Sequence, residues 1–212
     1  MNYTYNDNEI EFAKYIKSKP PNKIWWNFTS YVFDYGNEYF EIESIPKKAD
    51  SQNEFDESII GQFTKHSKSF VPGKNAKLIC GKKVIENLYI VRTFLYFTTY
   101  REYSKSEKFF RIAKHKINSI LTFKKDIFGD MVSQGVGYCE EIICHPKSEE
   151  VNKINSKYSN LIDCGLLLQI EGKCLNAFVE GNGFGFHIEN DNYFHEMEEL
   201  NQIAGKYEFI KV

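Results

Sequence analysis

His187, Glu189, Asp191 and His195 fall within nine residues, and this is where metal chemistry would first be sought in the 212-residue chain. His187-Ile188-Glu189 opens like a zinc-deaminase signature, but the Pro-Cys-x-x-Cys half that completes such a site is missing. His195-Glu196-Met197-Glu198-Glu199 opens like a zinc-protease helix, with Glu standing where the second His ligand must be. The cysteines are Cys80, Cys139, Cys144, Cys164 and Cys174. None forms a Cys-x-x-Cys pair, and Cys139, Cys144 and His145 lack the further ligands that a tetrahedral zinc site needs.

Other chemistries fare no better. Gly181-Asn182-Gly183-Phe184-Gly185 is glycine-rich, but a phosphate loop must open a helix, and Phe186-His187-Ile188 continues a strand pattern. There is no Gly-x-Ser-x-Gly elbow to present a nucleophile. Glu140 and Glu141 are adjacent on a strand pattern, so they point to opposite faces and cannot share a proton. The expectation is therefore no catalytic residue, no metal and no cofactor.

The charge layout is more informative. Residues 1–64 carry 6 basic and 11 acidic side chains, residues 65–125 carry 15 and 3, and residues 126–212 carry 6 and 15. The net charge of −2 thus conceals blocks of −5, +12 and −9. Blocks of one sign steer partners of the other, or they fold against each other and cancel. The basic middle interleaves its cations with aromatics, which suits phosphate neutralisation and base stacking. However, only 3 of its 15 cations are arginine, the better base reader. In the acidic last third, Glu189, Asp191, Glu196, Glu198 and Glu199 surround Tyr193 and Phe194. Carboxylates that set encounter rate beside aromatics that anchor a complex are the makings of a protein-docking surface.

The elements that must hold these residues read as α+β: a mainly antiparallel sheet built from hairpins, with several short helices packed on it. Phe12, Tyr15 and Ile16 predict a helix over residues 8–18, stopped by Pro20-Pro21. Residues 24–34 predict one strand, joined through Tyr35-Gly36-Asn37 to a second over 38–45. Phe55, Ile59, Ile60 and Phe63 are spaced for a helix. Residues 76–80 and those from Val84 onward predict a second hairpin, and 88–100 a central strand apolar on both faces. Ser104 and Glu107 form a capping box for a helix reaching to about residue 122, with a further helical turn expected over 126–133. A strand over 136–144, a short helix over 148–157, a hairpin over 161–180, an acidic helix over 193–204 and a closing strand over 207–212 complete the order.

One domain over 1–212 is expected, with candidate seams at 46–54 and 145–160. The first twenty residues are charged, the cysteine count is odd and no run of 18 apolar residues occurs, which suits a cytoplasmic protein with free thiols and no membrane association. The lysine bias suits an AT-rich bacterial genome. The function these residues point to is a protein-binding module, an immunity-type inhibitor that covers a bacterial toxin with its acidic surface. The alternatives are a nucleic-acid-associated protein using 65–125, or an enzyme or metal protein around His187–His195.

Overall fold

The structure is a computed structural model that describes residues 3–48, 57–99, 139–153, 159–179, 193–196 and 205–212. Its first element is α1 (Asp7–Ser18). Asn6 caps it by accepting from the Asn8 and Glu9 amides, and the Glu9 carboxylate returns the bond to the Asn6 amide. This reciprocal box satisfies donors that a helix start otherwise leaves to water.

Two antiparallel sheets follow. The first contains β1 (Lys23–Asn27), β2 (Ser30–Asp34), β3 (Tyr39–Lys48), β4 (Glu57–His66) and β5 (Lys77–Gly81), in the order β4-β3-β2-β1-β5. The second contains β6 (Asn87–Thr99), β8 (Ser159–Ile170), β9 (Lys173–Phe178), β10 (Phe194–His195) and β11 (Tyr207–Lys211), in the order β10-β9-β8-β6-β11, with β7 (Cys139–Cys144) paired to β6 off that path. A second helix, α2, spans Glu149–Lys153. The chain groups into two compact units, Met1–Tyr96 with Ile143–Val212, and Phe97–Ile142.

The mainly antiparallel sheet agrees with the sequence pattern, and the long apolar run becomes β6, an interior strand flanked by β8 and β11. The β8–β9 hairpin turns on Glu171 and Gly172, both at positive φ, as a two-residue loop between right-twisted strands requires. Gly36, also at positive φ, sits between β2 and β3 as the Tyr35-Gly36-Asn37 turn implies.

Four expectations are corrected. Residues 24–34 are not one strand: Asn27 pairs with Ser30, so the chain reverses at Phe28-Thr29. Residues 57–66 form no helix. Their ten-pair ladder with β3 overrides the helical spacing of Ile59, Ile60 and Phe63, and Gly61 has a reason to be there. A Cβ on Gly61 would collide with the Cys164 carbonyl, so its absence lets β4 approach the backbone of β8. Residues 76–80 and 87–99 are not a hairpin, because β5 pairs with β1 in one sheet and β6 with β8 and β11 in the other. Phe194-His195 is strand at a place where helix was expected. The several helices expected therefore reduce, among the described residues, to α1 and the five-residue α2. Those predicted over 104–122 and 126–133, and residues 197–204, lie outside the described residues.

The core of the larger unit lies on the face of the first sheet that carries Ile24, Tyr31, Phe33, Phe40, Ile42 and Phe63, all buried. Phe12 and Tyr15 of α1 lie on this face, with ring centroids 5.1 and 5.3 Å from Phe40. The second sheet contributes Leu88, Ile90, Leu166, Leu168 and Leu175, also buried.

The chain's N-terminal arm is fixed to β8. The Tyr3 amide donates to the Leu161 carbonyl at 2.8 Å, and the Asp163 amide donates to the Tyr3 carbonyl at 3.0 Å. Among the described residues β9 pairs with residues 165–170 of β8, and the arm takes the edge that β9 leaves there. Opposite Val91 and Arg92, β8 carries an extra residue, Cys164, with Gly165 at φ 142°. This bulge accompanies a buried Asp163 carboxylate that accepts the Tyr5 amide at 2.7 Å and both Arg92 donors at 2.6 and 3.0 Å.

Candidate docking site

Phe28 heads the candidate site. It occupies the first loop position between β1 and β2 with φ 36°, in the left-handed region where such loops place glycine or asparagine. The Thr29 amide turns back to the Asn27 carbonyl, and the Ser44 amide of β3 donates to the Thr29 carbonyl at 2.7 Å, which holds the tip against its neighbour. The turn therefore keeps a bulky aromatic in a strained backbone state, with 62% of its surface in water. Both the strain and the exposure cost stability, and outliers of this kind gather at functional positions.

Behind it lies Trp26, whose ring is 6.1 Å from Phe28 and 5.9 Å from Tyr193, edge-on to both. The Lys77 ammonium sits 5.8 Å above the Trp26 ring. Tyr193 also stands beside Tyr31, whose phenol is pushed well above its ordinary pKa by burial first and by Tyr193 second. The Trp26 indole N–H and the Tyr193 hydroxyl are shielded and have no hydrogen-bond partner among the described residues. Each such group costs about 1–3 kcal/mol relative to its hydrated state. Phe28, Trp26 and Tyr193 thus form one aromatic ridge.

Of the residues proposed from sequence, Tyr193 belongs to this ridge. Phe194 follows it and pairs with Leu175 of β9. Glu196 is exposed and lies 3.3 Å from the Lys173 ammonium, both side chains being more than half in solvent. An open pair of that kind contributes little and is readily exchanged for a partner's cation. Glu189, Asp191, Glu198 and Glu199 lie outside the described residues, as do His187 and the Gly181–Gly185 run. Phe28 and Trp26 were missed as site residues. Asn27-Phe28-Thr29 reads in the sequence only as a glycosylation sequon, and the strain at Phe28 exists only once the chain reverses there.

The charge blocks cancel in part. Lys65 pairs with Glu38 at 2.9 Å, Lys83 with Glu171 at 2.6 Å, and Arg92 with Asp163 at 2.6 Å, each joining the basic middle to an acidic flank. Lys65 and Tyr15 together hold the Glu38 carboxyl below its ordinary range. The thiols of Cys164 and Cys174 are buried, and burial raises both, Cys174 to about 11. Such thiols are poor nucleophiles at neutral pH. Among the described residues there is no group of three or more His, Cys, Asp or Glu side chains placed to hold a metal ion, and no helix long and apolar enough to cross a membrane. Comparison of the chain with protein-family models, with curated proteins and with solved structures finds no match in any of the three.

Proposed function

We propose that the chain is a protein-binding module that docks through the Phe28–Trp26–Tyr193 ridge and the acidic segment running from it, namely Glu189, Asp191, Phe194, Glu196, Glu198 and Glu199. In its most specific form, the module is an immunity-type inhibitor in the cytoplasm of a bacterium, covering the basic active surface of a toxin. The single observation that carries the reading is Phe28: a large aromatic held exposed at a strained turn where glycine would cost less. Through Trp26 it is joined to Tyr193, an aromatic that lies among the carboxylates of the acidic segment. Aromatic anchors ringed by charge are the usual composition of an energetic interface centre.

The reading is tested by placing a photo-crosslinking residue at Phe28, at Glu196 and, as control, at Lys14 on the exposed side of α1, in the cells that make the protein. One protein should crosslink from positions 28 and 196 and not from 14. Purified, it should lose affinity for the Glu196→Lys/Glu198→Lys/Glu199→Lys variant, and that loss should shrink as salt is added. Crosslinks of equal yield from all three positions, or affinity indifferent to the reversal, would overturn the proposal.

A further inference from the structure

Three of the four large apolar side chains that the described residues leave most exposed lie in one short stretch: Val71 at 83%, Leu78 at 51% and Val84 at 71%. That stretch, residues 67–85, holds Lys68, Lys74, Lys77, Lys82 and Lys83 and not one acid. Its centre is β5, which pairs with β1 on one side and, among the described residues, has no strand on the other. Lys83 is committed to Glu171, and Lys77 lies over Trp26, while Lys68, Lys74 and Lys82 make no ion pair with a described residue.

Lysine on a strand at the edge of a sheet (here Lys77, with Lys74 and Lys82 just beyond the strand ends), and the register shift between Ile24 and Trp25 where β5 carries one extra residue, are devices that keep edges from pairing with their own kind. They repel a second β5 and so exclude edge-to-edge association of two copies. A guarded edge has no need to expose Val71, Leu78 and Val84 as well, and those residues need an apolar complement. Leu78 shares a row with Trp25 and Lys77 shares one with Trp26, so these two side chains of β5 point to opposite faces of the sheet. A flat lipid surface meets one face at a time, whereas a strand laid along the edge meets both.

We propose that the β5 edge is a second docking surface, separate from the ridge, and that it takes an extended polypeptide segment alternating acidic and apolar side chains. Backbone groups of the segment would pair with the side of β5 that no described strand occupies, its apolar side chains would cover Leu78, and its carboxylates would meet Lys68, Lys74 and Lys82.

The test uses the full chain, isotope-labelled for amide NMR, titrated with a synthetic ten-residue peptide alternating Glu and Val. The expected result is saturable shifts at the amides of residues 77–81, with affinity lowered about tenfold in the Lys68→Glu/Lys74→Glu/Lys82→Glu variant and also in Leu78→Ser. Both variants change exposed side chains, and an unchanged amide spectrum elsewhere establishes that they fold. The inference is overturned if the peptide leaves residues 77–81 unshifted or binds the reversal variant equally well. It is equally overturned if a double-stranded DNA oligonucleotide or phosphatidylserine vesicles engage those amides while the peptide does not.

Discussion

Asp163 carries the largest loss expected from a single substitution. Its carboxylate is buried, faces the Arg92 guanidinium and receives the Tyr5 amide. Asp163→Asn keeps the shape and removes the charge, leaving a partly buried cation without its counter-ion. The expected cost is about 3–5 kcal/mol, read from the urea midpoint at neutral pH. At Phe28 the opposite sign is expected. Phe28→Gly relieves the positive φ, so stability should hold or rise by up to ~1 kcal/mol while crosslinking to the partner is lost. A variant that gained stability and kept its partner would remove Phe28 from the docking site. Neither residue announces its role in sequence. Asp163 sits inside an apolar run and looks like an interruption until the bulge at Cys164 and the N-terminal arm are known. Tyr193 was legible because aromatics among carboxylates are recognisable without a fold.

At the scale of elements, β8 and β9 each bury a thiol, Cys164 and Cys174. Burial raises the Cys164 and Cys174 thiols, so the folded chain keeps protons that the unfolded chain gives up at the ordinary thiol pKa of ~8.5. This stabilisation is complete below that pH and is lost as pH climbs toward the folded value, about 11 for Cys174. Denaturation measured at intervals up to pH 11 should show stability falling across this window, and Cys174→Ala should flatten the fall. An unchanged alkaline slope in that variant would mean that the thiol stays accessible. Strands with alternating or continuous apolar pattern were readable, as β3, β6, β8 and β9 show. The failures have physical causes. β4 has apolar residues at helical spacing, and only its distant partner β3 makes it a strand. The β1–β2 turn contains neither Gly nor Pro, so nothing local marks the reversal.

For the molecule as a whole, the three charge blocks behave as partial counter-ions. Lys65, Lys83 and Arg92 each reach an acidic flank, but they are unequal. Lys83 and Glu171 are largely solvated, so Lys83→Ala should change stability by less than about 0.5 kcal/mol, and that change should shrink as salt is added. A loss comparable to that of Asp163→Asn would show that block neutralisation stabilises the fold. In the acid-free stretch 67–85, Lys68, Lys74 and Lys82 make no ion pair with a described residue, which a count of charges cannot reveal.

Tyr3 and Tyr5 find their partners about 160 positions downstream, at Leu161 and Asp163. During translation, the meander β1–β4 and helix α1 emerge long before the groove that receives the arm. At about 5–20 residues per second, the first residues wait on the order of ten seconds for their seat to be synthesised. In that interval Gly61 has no β8 backbone against it, and Phe12 and Phe63 cover an incomplete core. A nascent chain stalled short of residue 163 should therefore bind chaperones and be cut by protease near its start, and release of the finished chain from the ribosome should end both.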